Sequence, residues 1–242
     1  MALCPQAEDW LTLAFLPGLG CVHIARLVRE AGGPAEALQQ GGRSGRASGE
    51  RSGPQQALLA DRGQIEAARE RARREIDLLE RARISLVSWT CPQFPDALRT
   101  IADSPVLLYV RGDLGCLREP TVALIGSRAA SDYGRRVATM LATDLAAHGV
   151  SVVSGAAYGI DAAAHQGARE AGGRTAAVLG CGVDVAYPRT HADLLQAIAS
   201  QGVLLSEYPL GTRPEGFRFP ARNRIISGLA QGVVVVEATE KS

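Results

Sequence analysis

From residue 120 onward, short apolar runs rich in β-branched residues alternate with longer stretches in which apolar positions recur every three or four residues. The runs are 122–125, 150–153, 175–179, 203–205 and 233–236, and the stretches between them predict helices over 133–147, 161–171, 190–200 and 223–230. Strands uninterrupted by polar residues and separated by helices imply a parallel sheet covered on both faces. The expected fold is therefore α/β, a doubly wound, extended Rossmann-like sheet. Ligands of such sheets bind outside the carboxyl ends of the strands.

The amino-terminal third reads differently. Helical patterns over 10–15 and 22–29 are joined by Leu16-Pro17-Gly18-Leu19-Gly20. This turn fits a helix-hairpin-helix, whose glycines let backbone N–H groups approach a phosphate, and it equally fits a plain helical hairpin. Residues 41–54 contain almost nothing to bury and read as a flexible loop, whereas 64–83 is a strong helix with Glu/Arg pairs on its solvated faces. Short strands are expected at 84–89 and 106–110. The pattern predicts a small helical SAM-like (helix-hairpin-helix) domain over 1–83 and the extended Rossmann domain over 84–242.

Composition narrows the function. With 46% apolar and 21% charged residues, a fibre or a disordered chain is excluded. The formal charge of +1 rules out nucleic-acid binding through bulk basicity and leaves room for a local basic site. Lys241 is the one lysine, so nearly every basic residue is an arginine, whose planar fork suits phosphate. The start of the chain lacks the basic flank of a secretory signal and no apolar run reaches the ~20 residues of a membrane span, so a cytoplasmic location is expected. Cys4, Cys21, Cys91, Cys116 and Cys181 include no CxxC pair; they are read as reduced thiols, with no metal site.

The informative residues collect at the carboxyl ends of the expected strands. Gly126, Ser127 and Arg128 form a turn able to grip a phosphate through backbone, hydroxyl and guanidinium. It is no GxGxxG fingerprint, and no acid follows the second strand to hold a ribose, so no nicotinamide or flavin cofactor is expected. Ser154, Gly155 and Gly159 open the next helix, with Asp161 placed to cap it and His165 read as a hydrogen-bonded structural residue. The densest signal lies between Tyr208 and Gly228. There Arg213, Arg218, Arg222 and Arg224 face the single acid Glu215, a local charge of +3, interleaved with Phe217 and Phe219. Such a mixture suits a single strand of nucleic acid, guanidinium groups taking phosphates and rings stacking on bases. The same residues also fit a structural role, with Arg222 and Arg224 capping helices and the rings in the core.

GSRAASDYG, SGAAYGIDAAAH, AVLGCGVDVAYP and LLSEYPLGTRP followed by FPARNRIISGLAQGVVVVEA, in that order and spacing, resemble the DprA (Smf) family of bacterial DNA-processing proteins, from about Phe94 onward. The resemblance implies a single-stranded DNA-binding recombination mediator of natural transformation that protects incoming DNA and helps load RecA, without making or breaking a bond. It implies RecA recombinase, single-strand binding protein and a second copy of the chain as partners. It assigns DNA binding to Gly126, Ser127, Arg128, Ser154, Gly155, Gly159, Phe219, Arg222, Asn223 and Arg224, with Phe219 as the stacking ring. Family members carry a lysine ahead of the Phe-Pro pair where this chain has Gly216, so Arg213 or Arg218 stands in. Members also continue past the VVVVEA strand, so the domain is expected to be truncated at its C-terminal end.

The alternative class is a nucleotide-binding Rossmann enzyme that hydrolyses nucleoside monophosphates, a phosphoribohydrolase. Its PGGxGTxxE loop has no counterpart in the sequence.

Overall fold

The structure, a computed structural model, describes residues 3–43 and 62–238. The chain divides into two compact units, one of residues 1–94 with 102–108 and one of 95–101 with 109–242.

In the first unit, helices α1 (Ala7–Phe15), α2 (Cys21–Ala31), α3 (Pro34–Arg43) and α4 (Arg62–Ala82) precede strand β1 (Ser85–Ser88). Trp10, Leu11 and Leu13 of α1, Ile24 of α2 and Leu79 of α4 are buried. The turn expected between the first two helices is present, with Gly18 at φ 79° and Gly20 preceding α2. Of the expected 41–54 loop, residues 41–43 instead end α3, and the rest lies outside the described residues.

The second unit carries α5 (Asp96–Arg99), β3 (Thr121–Gly126), α6 (Asp132–Ala147), β4 (Ser151–Ser154), α7 (Ile160–Glu170), β5 (Thr175–Val178), α8 (Ala192–Gln201), β6 (Val203–Ser206), α9 (Arg218–Leu229) and β7 (Gly232–Glu237). Strand β2 (Leu107–Gly112) is where the chain passes from one unit to the other. The hydrogen-bonded order is β1-β2-β6-β5-β4-β3-β7. Strands β3 to β7 pair in parallel, as expected, whereas β2 runs antiparallel to β6 with Tyr109 opposite Ser206. The sheet is therefore mixed. β2 precedes the first strand-helix-strand unit, so no crossover helix dictates its direction.

Residues alternate between the two faces of each strand. Leu124 and Val152 pack with Ala142 of α6 and Ala164 and Ala168 of α7 on one face. Ile125, Val233 and Val235 turn to the other face, where α9 lies. Coverage there is incomplete: Val233, Val234 and Val235 on the edge strand are 47%, 39% and 55% exposed, although their sequence reads as a fully buried strand. Successive strands β3 to β6 step away in one direction, and β7 returns to pair on the other side of β3. That reversal is the topological switch point, where a doubly wound sheet opens a crevice. Among the described residues no helix is long and apolar enough to cross a membrane.

Candidate nucleic-acid interface

At the switch point lies an open groove of ≈ 630 Å³. Its floor is apolar, from Ile125, Val233 and Val235, and its wall is basic, from Arg128, Arg222 and Arg224. Gly126, Phe219 and Asn223 also line it, whereas Ser127, Ser154, Gly159, Arg213 and Arg218 do not. A second cleft, of ≈ 30 Å³, opens beside it between Arg128, Gly155, Phe219 and Tyr187, with room for little more than a water molecule.

The two glycine turns are shaped by the protein itself. A side chain at Gly126 would meet the Glu237 carbonyl and the Ile160 side chain. Gly159 has φ 75° and ψ −121°, and its missing Cβ makes room for the Ser127 carbonyl. Ser127 donates its N–H to the Glu237 carbonyl at 2.7 Å and accepts the N–H of Ile160 at 3.2 Å, while its hydroxyl accepts from Ala129 at 3.2 Å. Ser154 is fully buried and donates to the Leu124 carbonyl at 2.6 Å. Gly159, not Asp161, is the N-cap of α7. The Asp161 carboxylate reaches back to the N–H of Ala157 at 3.3 Å. Burial pushes the Asp161 carboxyl up, and the Arg222 guanidinium opposes that shift.

Helix α9 begins at Arg218, five residues before the expected start at 223, so the whole FPARNR segment is helical. Pro220 falls in the first turn, where a missing N–H costs nothing. Helical placement turns the two central arginines inward. Arg222, 4% exposed, donates to the carbonyl of Gly155 at 2.9 Å and to that of Val178, and to Oδ1 of Asn223 at 3.3 Å. Burial lowers its pKa, with Asp161 acting against that effect. Arg224 forms a bidentate pair with Glu207, at 2.9 and 2.7 Å. Arg222 thus ties α9 to the ends of β4 and β5, and Arg224 has its charge matched within the protein.

Arg128 is exposed, and among the described residues no ion pair engages it; its guanidinium lies 5.2 Å from the Phe219 ring. Tyr187 stacks on Phe219 at 5.3 Å and 28°. Arg218 lies 5.3 Å from the rings of both Tyr208 and Phe217, donates to the Arg213 carbonyl at 2.5 Å and pairs with Glu215 at 3.5 Å. The Arg213 side chain is exposed. Sequence reasoning missed Tyr187 and Tyr208. Both stand immediately before a proline in a loop that follows a strand, and that Tyr-Pro repeat is the signal that could have found them. Among the described residues no cluster of His, Cys, Asp and Glu could hold a metal ion.

These motifs can be set beside known proteins. A family model described as DNA recombination-mediator protein A matches residues 85–242. The chain belongs to this family. It is 37% identical over 251 aligned positions to a chain of Mycobacterium tuberculosis (strain H37Rv) named for the DNA processing protein DprA, covering 98% of this chain and 62% of that one. The present chain thus spans less than two thirds of that relative's length. The X-ray structure of DprA from Streptococcus pneumoniae superposes with a TM-score of 0.77 at 32% identity, covering 100% of this chain and 81% of the other. DprA from Helicobacter pylori, whose structure was solved to give insight into its single-stranded DNA binding mode, matches with a TM-score of 0.61 at 34% identity over 66% of this chain and 72% of that one. The α/β fold and helical amino-terminal region expected from the sequence are those of DprA structures, the sheet being mixed where a parallel one was expected.

Proposed function

We propose that this DprA-family chain binds single-stranded DNA along the switch-point groove and serves as a recombination mediator, protecting incoming strands and helping to load RecA during natural transformation. The observation that carries the reading is the exposed Arg128, which no ion pair engages among the described residues, lying beside the Phe219 ring at the groove wall, with Tyr187 of the adjoining cleft stacked on that ring. Guanidinium groups and rings together serve a single strand better than a duplex, whose bases are stacked inside. Within the set Gly126, Ser127, Arg128, Ser154, Gly155, Gly159, Arg213, Arg218, Phe219, Arg222, Asn223 and Arg224, the phosphate contacts in this reading are Arg128, Arg213 and Arg218, and the buried members hold the frame. RecA, single-strand binding protein and a second copy of the chain are the partners proposed, on the strength of family membership.

Hydrolysis of a nucleoside monophosphate fits the groove less well. The carboxylate lining it, Asp161, is buried and engaged with Ala157 beside Arg222.

The reading is tested by fluorescence anisotropy of a labelled single strand at two salt concentrations, with an equal-length duplex and a nucleoside monophosphate as competitors. Salt-sensitive binding that prefers the single strand and ignores the nucleotide is expected. Displacement by the monophosphate, or no binding at low salt, overturns it.

A further inference from the structure

We propose that Phe217, ahead of the Phe-Pro pair, is the platform on which a base of the bound strand stacks. The proposal rests on the single-strand reading above and moves the stacking role away from Phe219. Phe219 already has company: Tyr187 is stacked on it at 5.3 Å, Arg128 lies at 5.2 Å, and its ring edge packs on Gly180.

Phe217 is placed differently. It is 67% exposed and sits at the N-cap of α9, two residues ahead of Phe219, which with Pro220 lines the groove. Its ring is backed by the Arg218 guanidinium at 5.3 Å. Arg218 is itself fixed by Tyr208 on the β6–α9 loop, the Arg213 carbonyl and Glu215. The ring is therefore held in place while most of its surface faces water. A pre-positioned ring beside cationic groups is the arrangement that stacks a base of any identity while neighbouring guanidiniums take the flanking phosphates. Phe219, by contrast, positions Arg128.

The test compares an oligothymidylate with an abasic strand of equal length and phosphate count, each titrated with the wild-type chain, Phe217→Ala, Phe217→Tyr and Phe219→Ala at several salt concentrations. The wild type is expected to prefer the base-bearing strand. Phe217→Ala should lose that preference, weakening by about 5- to 100-fold on the base-bearing strand with the abasic strand and the salt slope unchanged. Phe217→Tyr should retain it. A further variant, Phe217→Trp, should show indole quenching by the oligothymidylate and none by the abasic strand. If the wild type prefers the base-bearing strand and Phe217→Ala does so equally, the platform is overturned while DNA binding stands. A wild-type chain that binds neither strand overturns the single-strand reading and the platform with it.

Discussion

Glu237, the last residue of β7, holds Ser131 at the start of α6. Its carboxylate accepts the Ser131 N–H at 3.1 and 3.2 Å and the Ser131 hydroxyl at 2.7 Å, while that hydroxyl accepts the N–H of Gly134 at 3.0 Å. The positive end of α6 is thus met by the protein's own anion. These hydrogen bonds hold the Glu237 carboxyl below the ordinary carboxylate range. A folded-state pKa that is depressed contributes stability above the unfolded value and loses it as pH falls through the folded value. Glu237→Gln should lower the melting temperature at neutral pH, with the gap to wild type closing in acid. A gap that stays constant down to pH 3 would show that the carboxylate charge is immaterial.

Arg128→Ala should weaken binding about equally across strand sequences and reduce the salt slope by about one, because a phosphate contact carries no base information. Titrations at four salt concentrations read both quantities. An affinity within about twofold of wild type would take Arg128 out of the interface.

Arg222 predicts the opposite pattern. Replacement by Met strands the carbonyls of Gly155 and Val178 and removes the cation beside Asp161. Each stranded buried group costs about 1–3 kcal/mol. Denaturant unfolding should therefore show Arg222→Met strongly destabilised, and below its unfolding midpoint any residual DNA binding should keep the wild-type salt slope. A slope reduced by about one with stability intact would make Arg222 a phosphate contact after all.

These two arginines show how far the sequence could be read. The alternation of strands and helices was legible because each element buries an apolar stripe of its own period. The composition of 208–228 likewise marked a place where arginines and rings meet. What each arginine touches was not legible. The expected helix began only at 223, yet Pro220 sits harmlessly in the first turn of α9, and the added turn rotates Arg222 onto carbonyls at the ends of β4 and β5. Its partners lie 67 and 44 residues away, beyond any local pattern. The Tyr187–Phe219 stack is hidden for the same reason. The exposure of β7 is set by what surrounds a strand, and its own valines cannot report it.

His165 provides a pH signal of its own. Thr175 donates its hydroxyl proton to the Val152 carbonyl at 2.7 Å, so it accepts from Nδ1–H of His165, also at 2.7 Å. The buried ring is then neutral, and burial pushes its pKa down to about 3. The unfolded chain takes up a proton near pH 6.5 and the folded one does not, so stability falls as pH drops from about 6.5 to about 3. His165→Asn keeps a donor for Thr175 and should flatten this part of the stability profile. An unchanged profile for His165→Asn would assign the acid sensitivity to other groups.

Gly159→Ala should cost about 1–3 kcal/mol or more, from backbone strain at a positive φ together with the collision with the Ser127 carbonyl. A thermal melt measures it. A melting temperature equal to wild type would mean that the two loops can separate freely.

Those loops meet at Ser127, which is bonded through its N–H to the end of β7 and through its carbonyl to the start of α7. Two segments distant in sequence therefore hold this one residue from both sides, and Arg128 follows directly after it. In the proposed reading, a strand arriving in the groove would meet a guanidinium whose backbone is already immobilised. The entropy left to surrender on binding is that of the arginine side chain, at about 0.5–1.5 kcal/mol, and the ordering of the main chain has been met in folding.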